Sequence, residues 1–176
     1  MLEFRFPVKV KFFCGFIFSD PNIYSEAKNA LEKKFGKIDL ESEAINFDFT
    51  DYYEKEMGAS LIRGFVAFKT LRDPAEFIAI KHFCVRLEKK FALRGARRIN
   101  IDPGYINEAK LVLTTTKDFS HRIYLGKGVF AEITLNYRGK EFKDHETTFP
   151  DYRTAVYKNI FLKIRQIYRS QIADAK

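Results

Sequence analysis

The chain has 176 residues, 46% of them apolar and 19 of them phenylalanine, with no tryptophan and a formal net charge of +8. That length is one domain's worth and can bury a core without metal or disulfide help, and the interspersed charges exclude disorder. Cys14 and Cys84 form neither a CxxC pair nor a metal spacing, and Glu3, Arg5, Lys9 and Lys11 exclude a signal peptide or membrane span, so a cytoplasmic protein with reduced thiols is expected.

From Phe6 to Phe18 every even position is apolar, with Lys9 and Lys11 on the other face at first and Phe13 and Ile17 later. This predicts a strand that starts half-exposed and ends buried on both faces. Asp20 then caps a helix over 21–35, with Pro21 at its first position, a face of Tyr24, Ala27, Leu31 and Phe35, and Gly36 to stop it. Alternation over Ile45–Thr50 predicts a second strand with one polar face, and 61–71 a third. Asp73-Pro74-Ala75-Glu76 opens a helix over 74–94 whose stripe is Phe77, Ile80, Cys84, Leu87 and Phe91. Residues 97–102 make a fourth strand, with Ile99 and Ile101 inward and Arg98, Asn100 and Asp102 opposite.

This βαββαβ order is the ferredoxin-like one. Beyond it, 111–113 reads as strand or short helix. Residues 122–125 and 129–137 pair across Gly126-Lys127-Gly128, and 141–149 follow the turn at Gly139. A helix from Asp151 presents Val156, Ile160, Ile164, Ile167 and Tyr168. The expected fold is α+β, with residues 1–176 as a single domain: a ferredoxin-like core extended by a β-meander and a C-terminal helix.

Chemistry-bearing side chains crowd between Asn100 and Gly128. Residues 61–130 carry 14 basic and 6 acidic groups, against 8 and 11 over residues 1–60, so the positive excess surrounds this stretch. Such a concentration favours anionic partners. Thr114 to Thr116, Lys117, Ser120, His121 and Arg122 offer hydroxyls and cations suited to phosphate or carboxylate. The competing reading is a solvated loop between strands. Asp102-Pro103-Gly104-Tyr105 reads first as a type II turn, and otherwise as a strand end that projects Asp102 into a cleft. His121 with Asp102 or Asp118 could form an acid–base pair, although a lone histidine is more often structural. Asp51-Tyr52-Tyr53, Asp102 with Tyr105, and Asp151-Tyr152-Arg153 each follow a strand-like segment, and three such ends could converge on one pocket. Asp48, Asp51, Asp102 and Asp118 could bind Mg²⁺, but in no known metal pattern, and no cofactor is identified. His145-Glu146-Thr147 is a lone His-x-Thr element without its second copy. Phosphate-loop, dinucleotide, zinc, Gly-x-Ser-x-Gly and RNA-recognition signatures are all missing from the sequence.

Four stretches together carry a resemblance: Phe47-Asp-Phe-Thr-Asp-Tyr-Tyr-Glu-Lys-Glu-Met-Gly58, Asn100-Ile-Asp-Pro-Gly-Tyr105, Leu113 to Leu135, and Phe149-Pro-Asp-Tyr-Arg153. With these in order the chain resembles an uncharacterised prokaryotic family, domain of unknown function 4416. The resemblance implies a complete single-domain protein and assigns no activity to any residue.

The leading expectation is a protein that binds a phosphate-bearing ligand, nucleotide or RNA, through the basic loop. The loop 114–127, with Thr115, Lys117, Arg122 and Lys127, would grip the phosphate, and Asp102, Tyr105 and Tyr52 would contact the remainder, with Tyr152 as a further ligand-binding candidate. A hydrolase or transferase built on His121, Asp102 and Asp118 is the second expectation. An accessory protein docking an acidic partner is the third. No membrane partner is expected, and oligomeric state is left open.

Overall fold

A computed structural model describes residues 3, 4 and 6–174. In chain order the elements are β1 (Lys11–Phe18), α1 (Pro21–Phe35), β2 (Ile38–Glu41), β3 (Ile45–Asn46), α2 (Glu54–Met57), β4 (Ile62–Phe68), α3 (Phe77–Phe91), β5 (Ile99–Ile106), β6 (Lys110–Thr115), β7 (Ile123–Gly126), β8 (Val129–Arg138), β9 (Glu141–Asp144) and α4 (Ala155–Ala173). Helices and an antiparallel sheet together make an α+β architecture. The described strands form one sheet in the order β2-β4-β1-β5-β6-β8-β7, with β3 also on β4 and β9 also on β8. No helix among the described residues is long and apolar enough to cross a membrane.

β1 is the centre, buried along its whole length between β4 and β5. Strand alternation divides its side chains between two faces. Phe12, Cys14, Phe16 and Phe18 meet Ile23, Ala27, Leu31 and Phe35 of α1, and Phe77, Ile80, Cys84 and Leu87 of α3. Both helices therefore lie on one face, as their stripes require. Cys14 and Cys84 are free and buried there. The N-cap of α1 is Asp20, which accepts from the Asn22 amide, and Asp73 with Glu76 closes the capping box that leads into α3. The other β1 face, starting at Phe13, packs with Phe65, Leu113, Tyr157, Phe161 and Ile164 under α4.

Several boundaries differ from the sequence expectation. The strand expected from Phe6 starts at Lys11, and Phe6 and Val8 are exposed because no strand lies beside them; Arg5 lies outside the described residues. The strand expected over 45–50 shrinks to two residues, and the main partner of β4 on that side is β2, too short a run for alternation to reveal. On α4 the larger rings of Tyr157 and Phe161 take the buried positions, leaving Val156 exposed.

The turn expected at Asp102–Tyr105 is strand. Ile101 and Pro103, two apart, present their backbone groups to the same edge of β5. At Ile101 that edge is taken by side chains of α3: Lys81 donates to the carbonyl (3.2 Å), and the amide donates to Glu88 (2.6 Å). At Pro103 the carbonyl accepts from the Thr114 hydroxyl (2.9 Å), so the missing proline N–H falls where no strand is paired. Pairing with β6 begins only at Gly104. Gly104 is there for space, not for a positive φ: a Cβ would lie 2.5 Å from the Val112 carbonyl oxygen. The sheet is thus split between the first half of β5 and the end of β6.

Both outer edges are assembled from short pieces in tandem. β2 and β3 share β4, while β7 and β9 share one side of β8. The gap this leaves opposite Glu132–Thr134 is bridged by Thr148, whose hydroxyl donates to the Thr134 carbonyl (2.6 Å).

Candidate functional site

A cavity of about 460 Å³ opens at the split, within the usual range for small-molecule sites. Its floor is the α4-side face of the sheet: Ile17 on β1, Arg63 on β4, Asn100 and Asp102 on β5, Leu113 on β6. Lys81, Val85 and Glu88 reach it from α3, on the opposite face, through the gap that β6 leaves. Thr115, Thr116 and Lys117 form one wall. Phe47, Phe49, Tyr52 and Tyr53 form a second, and Phe149 to Tyr152 a third.

Arg63 is the most buried of the charges that line the cavity, 3% exposed, in an otherwise apolar strand. Room for it comes from Gly15, where a Cβ would stand 3.3 Å from Arg63 Nη1. Nη2 donates to Asp151 Oδ2 at 2.6 Å, and the guanidinium carbon lies 5.3–5.8 Å from the ring centres of Phe47, Phe65, Tyr152 and Tyr157. Nε and Nη1 have no hydrogen-bond partner, nor does the buried Tyr152 hydroxyl. Burial opposes the charge on Arg63, but its surroundings, Asp151 and Asp102 among them, outweigh burial and hold its pKa above the ordinary value. Unspent buried donors of this kind are costly and mark a place where an acceptor is wanted.

Asp102 takes a hydrogen bond from Asn100 Nδ2 (2.7 Å) and has two cations at 3.7 Å, Arg63 Nη1 and Lys81 Nζ. Both are beyond hydrogen-bond reach, so both cations keep donors for something else. Glu88 is pushed up to about 7 by burial, with Lys81 and the Ile101 amide pulling the other way. A carboxyl poised near neutrality in a cavity wall has the property an acid–base group needs. At the mouth Lys117 Nζ donates to the Tyr52 hydroxyl (3.0 Å), and that contact lowers the tyrosine's pKa. Arg97 is spent on Glu56 through two bonds, which raises the arginine's pKa and lowers the glutamate's.

The expected residues divide. Asp102, Thr115, Lys117, Arg122, Tyr52 and Tyr152 all line the cavity. His121 does not: its Nε2 donates to Glu132 Oε2 (3.0 Å), the same oxygen that accepts from Arg122 Nε (2.7 Å). Glu132 is 4% exposed on β8, and Arg122 also donates to the Lys117 carbonyl, so this trio ties the 117–122 segment down. Asp118 is exposed, outside the cavity and unpaired with His121. Tyr105 is three residues from Asp102, an odd spacing that sends it to the opposite face against Phe77. Lys127 sits in the β7–β8 turn, where its carbonyl accepts from His82 (2.9 Å). Lys110 begins the β6 strand that Thr115 ends.

Asp48 and Asp51 are exposed, and no three His, Cys, Asp or Glu side chains among the described residues gather to hold a metal ion. His145 follows β9, away from the cavity. Sequence reasoning missed Arg63, Lys81, Glu88 and Glu132, whereas Asp151 belongs to one of the three segments expected to converge and does line the cavity. The available signals were a charge inside an apolar strand at Arg63 and a glycine inside another at Gly15.

No curated protein and no solved structure matches the chain. Residues 8–168 match the family described as domain of unknown function DUF4416, and the chain belongs to that family.

Proposed function

We propose that this protein binds a small anionic ligand, phosphate- or carboxylate-bearing and of mononucleotide size, in the cavity between β5 and β6. The observation that carries the reading is Arg63: nearly fully buried, with Nε and Nη1 unpartnered at the cavity floor. A buried guanidinium with free donors is suited to a planar or tetrahedral oxyanion. The 114–127 loop plays a smaller part than its composition promises, since Arg122 is committed to Glu132. The volume suits a nucleotide or a single nucleotide unit of RNA better than a longer polymer. The order β2-β4-β1-β5, with α1 and α3 on one face, supports a ferredoxin-like assignment for the first half of the chain. The buried thiols of Cys14 and Cys84 support a cytoplasmic setting.

The test is a thermal-shift and calorimetric panel of phosphate and carboxylate compounds on wild type, Arg63→Met and Lys117→Ala. Saturable binding that Arg63→Met weakens more than tenfold supports the site. Steeply salt-dependent RNA binding that ignores Arg63 and follows surface lysines overturns it.

Glu88 favours a second reading, a hydrolase or transferase. The acid–base role would then fall to Glu88, because His121 is turned toward Glu132. In that case Glu88→Gln abolishes turnover and leaves ligand affinity within about twofold; unchanged turnover in the variant rejects this reading.

A further inference from the structure

The cavity's charge inventory and rim restrict what it can hold. Five cations line it: Arg63, Lys81, Arg97, Lys117 and Arg122. Four carboxylates line it too: Glu88, Asp102, Glu132 and Asp151. Arg97 and Arg122 are spent on Glu56 and Glu132, leaving Arg63, Lys81 and Lys117 with donors to give. Two of these three face Asp102 at 3.7 Å, and Arg63 also holds Asp151. Arg63 Nη1 and the spare Lys81 donors, on either oxygen of the same Asp102 carboxylate, are the cationic donors that one negative group at this depth would draw on. A second would have to lie against Asp102 or Asp151 with no uncommitted cation at that depth, a like-charge contact in a poorly screened place.

The rim has a different character. Phe49, Tyr52 and Phe149 line the cavity while remaining 38%, 52% and 39% exposed. They come from two segments far apart in sequence and converge on one opening. Exposed rings gathered around a cavity mouth are the arrangement that stacks a flat ring.

Resting on the site proposed above, we infer that its ligand carries a single anionic group attached to a planar aromatic ring system, the nucleoside monophosphates being the class that fits, and that di- and triphosphates are rejected. The anion lies at Arg63 and Lys81, the ring lies between Phe49 and Phe149, and Asp102 sets the limit on charge. Asp102 also keeps acceptor capacity for a sugar hydroxyl, since Asn100 supplies its one hydrogen bond.

The experiment is isothermal titration of the full chain, at low salt, with two panels: the four ribonucleosides, their 5′-monophosphates and their 5′-triphosphates, and a set of aromatic monocarboxylates. One monophosphate should bind at least tenfold more tightly than both its triphosphate and its nucleoside. Phe149→Ala, a change at a partly exposed rim position, should weaken that monophosphate several-fold. Asp102→Asn should narrow the gap between mono- and triphosphate. A triphosphate that binds as well as the monophosphate overturns the single-anion inference and leaves the site standing, provided Arg63→Met still abolishes binding. A nucleoside that binds as well as the monophosphate also overturns it. If no nucleotide binds but an aromatic monocarboxylate does, the nucleotide class is wrong and the site is right. If nothing in either panel binds, both readings fail.

Discussion

The two faces of the β1–β4–β5 sheet are built on opposite terms. Under α1 and α3 the contact is ring against ring: Phe12 stacks on Phe68 at 4.4 Å and meets Phe35 and Phe77 edge-on, and the buried charges of α3, Lys81 and Glu88, stand at the split beside Ile101. Under α4 the same packing begins with Phe13, Phe65 and Phe161 but stops at Gly15, beyond which Arg63, Asp102 and Asp151 occupy the interior. One face spends its burial on stability. The other gives up packing for a charged hollow, and a protein tolerates that loss where a site is needed.

Truncation on each face measures the contrast. Phe12→Ala should cost about 3–5 kcal/mol in chemical denaturation, with no second substitution able to recover it, because the loss is cavity and contact. Arg63→Met should cost a similar amount, about 3–5 kcal/mol, by leaving Asp151 buried without its partner. Adding Asp151→Asn should recover most of it, because the penalty is an unpaired charge and not lost volume. A double variant as unstable as the single would erase the distinction between the faces.

The next effect appears as a pH slope. Folding raises Glu88 from 4.5 to about 7, so between those values the folded protein holds a proton that the unfolded chain has released. The stability this lends is full below about pH 4.5 and is lost as pH rises through 7, an amount of about 3 kcal/mol. Glu88→Gln keeps an acceptor for the Ile101 amide and should flatten that part of the profile; an unchanged slope would place the titration elsewhere. The smallest effect is expected at the rim. Lys117→Ala removes an exposed contact to Tyr52 and should change stability by less than about 1 kcal/mol.

The same contrast explains what could be read from the sequence. α1, α3 and the β7–β8 hairpin were legible because apolar period, capping residues and turn glycines are local signals. β2 was not, at four residues. The strand through Pro103 was not, because a proline and a glycine that signal a turn can also mark an unpaired edge and a close approach. The loop from Thr114 to Arg122 drew attention by density of polar groups, yet density does not reveal partners: Glu132, ten residues after Arg122, absorbs both Arg122 and His121. Arg63 and Asp151 are 88 residues apart and meet only through the fold, so no window of sequence contains the centre of the site.

The central position of β1 has a consequence during synthesis. Its neighbours β4 and β5 follow far along the chain, and the second is complete only at Ile106. At about 5–20 residues per second, β1 waits several seconds or longer on the ribosome before both can reach it. Until then Lys11-Phe-Phe-Cys-Gly-Phe-Ile-Phe18 lacks both of its partner strands, and its nearly uncharged, phenylalanine-rich composition is of the kind that self-associates readily. Lys11 is the one charge inside it, and Lys9 and Asp20 each lie two residues beyond an end. Replacing Lys9, which becomes an exposed residue once folding is complete, should therefore lower the soluble yield of newly made chain while leaving the stability of the finished protein almost unchanged.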